Sequence, residues 1–242
     1  MFSALAAVML FDPRPAAQAR GQAAAPPTAR AAAPVDLTGY WVSVISEDWQ
    51  WRMVTPARGD VASLPLNAEG IKVANQWNPG DEGSCKAYGA AAIMRMPGRL
   101  RISWEDDQTL KIETDAGQQT RRLRFGAAPP PATQDVQGHT VARWETTAPA
   151  AAGPAPSAPR WASLRAVTTN MQAGWLRRNG VPYSERATMT EYFDRFSDGT
   201  DEWFTVTTIV EDPVYLTQPL MVSSNFKKER DGARFKPVPC KA

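Results

Sequence analysis

One histidine, His139, is all that 242 residues carry, so Ser-His-Asp, Cys-His and multi-histidine metal chemistry would each have to pass through that side chain. Cysteine is nearly as scarce: Cys85 and Cys240 stand far apart and lack the paired spacings of a zinc site. An excess of one charge is missing as well. The 27 Lys and Arg offset the 25 Asp and Glu to leave +2, with no polybasic block to meet a phosphate backbone or an anionic lipid surface, so no nucleic-acid partner is expected. No Walker loop, G-x-G-x-x-G, H-E-x-x-H, C-x-x-C or G-x-S-x-G occurs in a usable context, so neither a cofactor nor a metal is implied. No stretch reaches the ~18–20 apolar residues that a spanning helix needs.

What is present begins with an apolar run from Met1 to Phe11, broken only by Ser3, that leads to Ala17-Gln18-Ala19. That A-x-A pattern suits signal peptidase, so residues 1–19 read as a signal peptide and the chain as exported, periplasmic or secreted. Residues 20–34 are Ala, Pro, Gly and Gln without periodicity and read as a disordered leader. Two cysteines in an exported chain imply one disulfide. It would close a loop of 155 residues, worth about 4–5 kcal/mol in the chain-entropy account, and would pin the tail to the body.

Residues 35–242 read as a single β-barrel domain with Pro-rich loop tips near 126–138 and 146–160. Val35 to Ser46 forms the first strand, which Trp49 to Val54 continues or pairs with. Leu66 to Trp77 is the one helix, capped by Asn67 and stopped by Pro79-Gly80. A meander follows: a strand over Ala91 to Met96, a turn at Pro97-Gly98, then alternation through Leu100, Ile102 and Trp104. Leu110 to Thr114 and Thr120 to Phe125 extend it. Further strands are expected at His139 to Glu145, Ala162 to Asn170, Trp175 to Asn179, Ala187 to Phe196, Glu202 to Val210 and Leu220 to Phe226. The fold class is all-β, a closed antiparallel meander barrel with one short covering helix, because a sheet of about ten strands must close or sandwich to remove its edges.

Gly39-Tyr40-Trp41 resembles the G-x-W signature of lipocalins and related calycin barrels, in which the Trp plugs the closed end. The early helix departs from the lipocalin layout. From Val35 onward the chain also resembles a family of exported bacterial proteins of unassigned function, through Leu37-Thr38-Gly39-Tyr40-Trp41, Cys85-Lys86-Ala87-Tyr88-Gly89 and Gly174-Trp175-Leu176-Arg177-Arg178-Asn179-Gly180-Val181-Pro182-Tyr183-Ser184. Thr190-Glu191-Tyr192-Phe193 and Asp212-Pro213-Val214-Tyr215-Leu216-Thr217 complete those blocks. The resemblance implies export and a barrel and carries no chemistry of its own.

Tryptophans spread over almost every strand, against modest Leu, Ile and Val, point to a partly open, aromatic-lined cavity holding a small apolar or aromatic molecule. Trp104, Trp144, Trp175 and Trp203 are the ligand-binding candidates, with Arg177 beside Trp175 to cap an aromatic plane or take a carboxylate. A second reading is a cofactor-independent isomerase, cyclase or lyase. Its acid/base groups would be Asp194 and Tyr192, which share a strand face, Tyr183 on a rigid Val-Pro-Tyr turn, and His139. Outward-facing Tyr192 and Asp194 would be ordinary surface groups, Tyr183 a ring packed over a hairpin, and His139 a strand end. A third reading is an envelope protein-interaction module.

Overall fold

The computed structural model describes residues 26–127, 129–147 and 161–241. The expected signal peptide, the first part of the leader and the Pro-rich stretch 148–160 lie outside the described residues. Strands occupy β1 (Gly39–Val44), β2 (Arg99–Asp106), β3 (Thr109–Thr114), β4 (Ala116–Gly117), β5 (Thr120–Phe125), β6 (His139–Thr146), β7 (Ala162–Thr169), β8 (Gly174–Arg177), β9 (Val181–Tyr183), β10 (Thr188–Asp198), β11 (Asp201–Glu211), β12 (Leu220–Glu229) and β13 (Val238–Pro239). Three short helices, α1 (Trp49–Arg52), α2 (Ala68–Ala74) and α3 (Ala90–Ile93), lie between β1 and β2.

Nine strands close a barrel in the order β1, β12, β11, β10, β7, β6, β5, β3, β2 and back to β1. Eight of those neighbour contacts are antiparallel, and β5 and β6 are parallel, so the barrel is mixed and not the purely antiparallel meander expected. A parallel pair cannot be joined by a tight hairpin. The chain between Phe125 and His139 therefore returns from one end of the barrel to the other, and is a crossover rather than a loop tip.

Two expected strands are helices instead. Trp49–Arg52 and Ala90–Ile93 are each one turn long, too short to display a 3.6-residue period, and the alanines of α3 favour helix over strand. The expected helix is present as α2, where the Asn67 side chain accepts from the Gly70 N–H at 2.9 Å. The single covering helix is thus three.

Alternation sets the core. Leu100 and Ile102 on β2, Leu110 and Ile112 on β3, Leu123 on β5 and Leu164 on β7 point inward and are buried. Trp41, Phe193, Phe204 and Phe226 join them; Trp41 meets Phe204 edge-on at 4.7 Å, and Phe204 stacks on Phe226 at 4.8 Å. Each such side chain contributes about 1.5–3 kcal/mol through burial. The middle of the barrel is thereby filled. Six Leu and Ile side chains and four aromatic rings share this interior, which is why overall composition overstated the room inside.

The two ends are closed differently. At one end, the β2–β3 and β10–β11 turns lie beside a strap, residues 28–36, that the sequence placed largely in the leader. Its Arg30 N–H donates to Asp107 O at 3.1 Å, and the Trp144 indole Nε1–H donates to Ala29 O at 2.9 Å. At the opposite end, α2, α3 and the β8–β9 hairpin form a second apolar cluster around Met171, Leu176, Val181 and Met189. Gly180 turns that hairpin at φ 80°, and a Cβ there would lie 2.4 Å from Trp77.

After β12 the tail runs back along the outside of the barrel. Phe235 lies 6.0 Å from the Tyr40 ring, and β13 pairs in parallel with β4. A Cys85–Cys240 disulfide, with Cα atoms 5.0 Å apart, holds it at the helix-capped end. The Cys85 N–H to Lys241 O bond (2.9 Å) and the Lys241 N–H to Gly83 O bond (2.8 Å) support the same junction.

Candidate functional site

At the strap-covered end, inward parity brings the last aromatic of three strands together. Trp104 of β2 lies 5.6 Å from Phe125 of β5, which lies 5.3 Å from Trp144 of β6. All three are partly buried and rest on the core below. Beside Trp104 opens a cavity of about 360 Å³, walled by strap residues including Pro34, Val35 and Asp36. The Asp36 carboxyl is subject to burial, which would raise its pKa. Two hydrogen bonds from Thr38 (2.8 and 2.7 Å) and the charges of Lys228 and Arg195 outweigh that and hold it below the usual carboxylate range.

Below the hydrophobic layers, toward the helix-capped end, the barrel encloses an ion pair. Arg121 of β5 and Glu191 of β10 are both fully buried and joined by two parallel bonds of 3.0 and 2.5 Å. The Arg121 Nε has no partner. Thr140 and Thr168 share a hydroxyl hydrogen bond of 2.8 Å, making a second buried polar contact across β6 and β7.

The helix-capped end gathers cations. Helix α1 supplies Trp51 and Arg52, the turn after α3 supplies Arg95, and the β8–β9 hairpin supplies Arg177 and Arg178. Arg52 bonds Glu47 and, through Nε, Arg95 O at 2.9 Å. Arg95 pairs with Asp48 at 2.6 Å, and Arg178 donates to Arg52 O at 2.7 Å. The guanidinium of Arg177 lies 4.6 Å over the Trp51 ring, whose own Nε1–H donates to Asp60 at 3.0 Å. Burial, then the neighbouring charge of Arg95, lowers the pKa of both Arg52 and Arg177. A cavity of about 200 Å³ opens here between Arg95, Arg177, Asp48, Ser63 and the apolar side chains of Leu64, Leu176, Leu220, Met221 and Val222.

The residues anticipated as functional are distributed over these regions. Trp104 and Trp144 come together at the strap-covered mouth, with Phe125 between them, a residue read only as a strand position. Trp203 lies on the outer face of β11, stacked on Phe196 at 6.4 Å, so it lines no interior. Trp175 packs on the core from the β8–β9 hairpin, and Arg177 caps Trp51 instead of it. Tyr192 and Asp194 take the outer face of β10, because Met189, Glu191 and Phe193 take the inner one. Tyr183 is buried with its hydroxyl wedged between Gly89 and Gly174, and burial raises its pKa, so the ring is a packing element. His139 is buried at the start of β6, opposite Thr169. Tyr192 and Asp194, on the outer face, are therefore separated from the buried Tyr183 and His139. Among the described residues no group of three or more His, Cys, Asp or Glu is placed to hold a metal.

No family model, curated protein or solved structure matches the chain.

Proposed function

We propose that this protein is an exported binding barrel that takes a small apolar or aromatic molecule at its strap-covered mouth. The observation that carries this reading is the ladder of Trp104, Phe125 and Trp144 beside the 360 Å³ cavity. The three rings, each tilted 34° from the next, offer an apolar edge that meets the cavity at Trp104, and Arg30, Asp36 and Thr38 on the strap side would orient a ligand laid against it. The ligand enters between the rings and the strap, not through the packed middle of the barrel. Export is supported by the A-x-A pattern after the apolar run and by the disulfide, which suits an oxidising compartment.

The test is titration with N-phenyl-1-naphthylamine, an uncharged fluorescent probe. Saturable binding with quenching of tryptophan emission is expected. Trp104→Ala should weaken it at least fivefold, and Trp203→Ala should leave it unchanged because that ring is on the outer face. A folded protein that binds no uncharged apolar probe would overturn the reading.

A further inference from the structure

The geometry points to a second binding site, at the opposite end of the barrel, for a small organic carboxylate. Its anion would sit among Arg52, Arg95 and Arg177, and its apolar body in the adjoining 200 Å³ cavity. Three guanidinium nitrogens there, Arg52 Nη2, Arg95 Nη1 and Arg177 Nη1, are buried without a hydrogen-bond partner. A guanidinium carries five donors and does not give up its charge, so each orphaned N–H is a standing cost unless something accepts from it. Arg52 and Arg177 are more than nine-tenths buried, at 3% and 7% exposure, so bulk solvent does not meet the need.

The local acids are already committed. Glu47 is taken by Arg52, Asp48 by Arg95, and Asp60 by the Trp51 indole. Among the described residues no ion pair joins Arg177 to a carboxylate; Asp48 and Asp60 act on it only through their charge at longer range, and its guanidinium lies over the Trp51 face. Such a cation is held in place by stacking and leaves its in-plane donors available, an arrangement suited to bidentate capture of a carboxylate or phosphate. Arg95, Leu176 and Arg177 line both the narrow recess against Trp51 and the larger cavity, so the two spaces share a wall of one cationic and one apolar kind.

That shared wall selects the ligand class. Apart from its arginines, the Ser63 hydroxyl and Asp48, which is taken by Arg95, the cavity wall is Leu64, Leu176, Leu220, Met221 and Val222. One hydroxyl is too few donors for the far side of a phosphate, whereas the five apolar side chains would cover a short hydrocarbon attached to a carboxylate. The recess itself, about 20 Å³, has room for a single water or a ligand oxygen and no more. A neutral alcohol of the same length would satisfy one donor where a carboxylate satisfies two or three, and an alkylammonium would be repelled.

The test is calorimetric titration of the intact, disulfide-bonded protein with hexanoate, hexanol, hexylamine and inorganic phosphate. Hexanoate is expected to bind at one site, at least tenfold tighter than hexanol or phosphate, with no binding of hexylamine. Arg177→Met should weaken hexanoate at least tenfold and leave hexanol unchanged, and Arg177→Lys should recover part of the loss. Should Arg177→Met fail to fold, Met221→Glu decides the matter: Met221 is 65% exposed on the cavity rim, so the substitution is tolerated by the fold and sets a like charge against the anion. Hexanoate affinity unaffected by Met221→Glu, equal affinity for hexanol, or tighter binding of phosphate would each overturn the proposal. Because N-phenyl-1-naphthylamine reports on the other mouth, failure of one site leaves the other standing.

Discussion

The two ends of the barrel are closed by different physics. The strap-covered mouth is tied by a few main-chain and indole hydrogen bonds over an aromatic floor. The helix-capped end is built from a second apolar cluster, a network of arginines and a disulfide. A cover held by single hydrogen bonds opens at a cost of about 1 kcal/mol for each, while at the other end the disulfide keeps residues 83–89 and the tail together and the apolar cluster must be exposed before the cap can lift. Under the two binding sites proposed above, that difference would place access at the strap end and selectivity by charge at the helix-capped end.

The largest effect is expected where the two halves meet. Arg121 and Glu191 are both shielded from solvent, so Arg121→Met or Glu191→Leu alone strands a charge and should cost about 3–5 kcal/mol in chemical denaturation. The double variant Arg121→Met, Glu191→Leu removes both charges and should recover most of that loss. If the single variants cost less than about 1 kcal/mol, water reaches this layer and the barrel is not filled through its middle.

Next comes the staple. Replacing Cys85 and Cys240 by Ser should cost about 2–5 kcal/mol. Hydrogen exchange should show protection lost at residues 83–89, 115–117 and 238–241, where the tail is held. Binding of the uncharged probe at the strap end should survive. Loss of probe binding in the folded double-Ser variant would mean the two ends are coupled and the comparison fails.

Much of this was legible in the strand alternation, and the misses share a cause. Arg121 has the parity of Leu123 and Phe125, and Glu191 the parity of Met189 and Phe193, so the period of two already placed both charges inside. Tyr192 and Asp194 stand out in the sequence because they share a face, but that face has the parity opposite to Met189 and Phe193 and is the outer one; the partner that compensates Glu191 lies 70 residues away, where no local pattern could reveal it. The arginine cluster was hidden for the same reason: Arg52, Arg95 and Arg177 come from three elements, two of them beside single-turn helices that lack a readable period. The disulfide needed only a count of cysteines. Strand direction left no trace in alternation, but the length between Phe125 and His139 was a signal for a crossover.

A smaller effect tests the strap. Trp144→Phe keeps an aromatic ring in the ladder and removes the indole N–H that holds Ala29 O, so overall stability should fall by about 1 kcal/mol or less. The association rate of N-phenyl-1-naphthylamine should rise, because the cover lifts more often. An unchanged rate would show that the strap does not limit entry.

The smallest effect is in acid, and it again separates the ends. The Glu202 carboxyl is held below its ordinary value of 4.5 by a Lys228 hydrogen bond against the opposing pull of burial, with the Arg195 charge adding to it. Glu105 is held down by its Arg122 hydrogen bond, and Asp36 lies below 3.8 despite burial. All three belong to the strap end. A carboxyl whose pKa is depressed by folding contributes stability above its unfolded pKa, and that contribution disappears as pH falls through the folded value. Glu105 and Glu202 are solvated pairs, so each is worth only a few tenths of a kcal/mol after screening. Between about pH 5 and pH 3, protection factors, which divide out the slowing of intrinsic exchange in acid, should therefore fall first in the strap and the β10–β11 turn, while the disulfide-held end keeps its protection. Glu202→Gln should flatten that pH dependence at the β10–β11 turn. An equal fall in protection factor at both ends would show that the strap opens only with the whole fold, and the division of labour between the two mouths would fall with it.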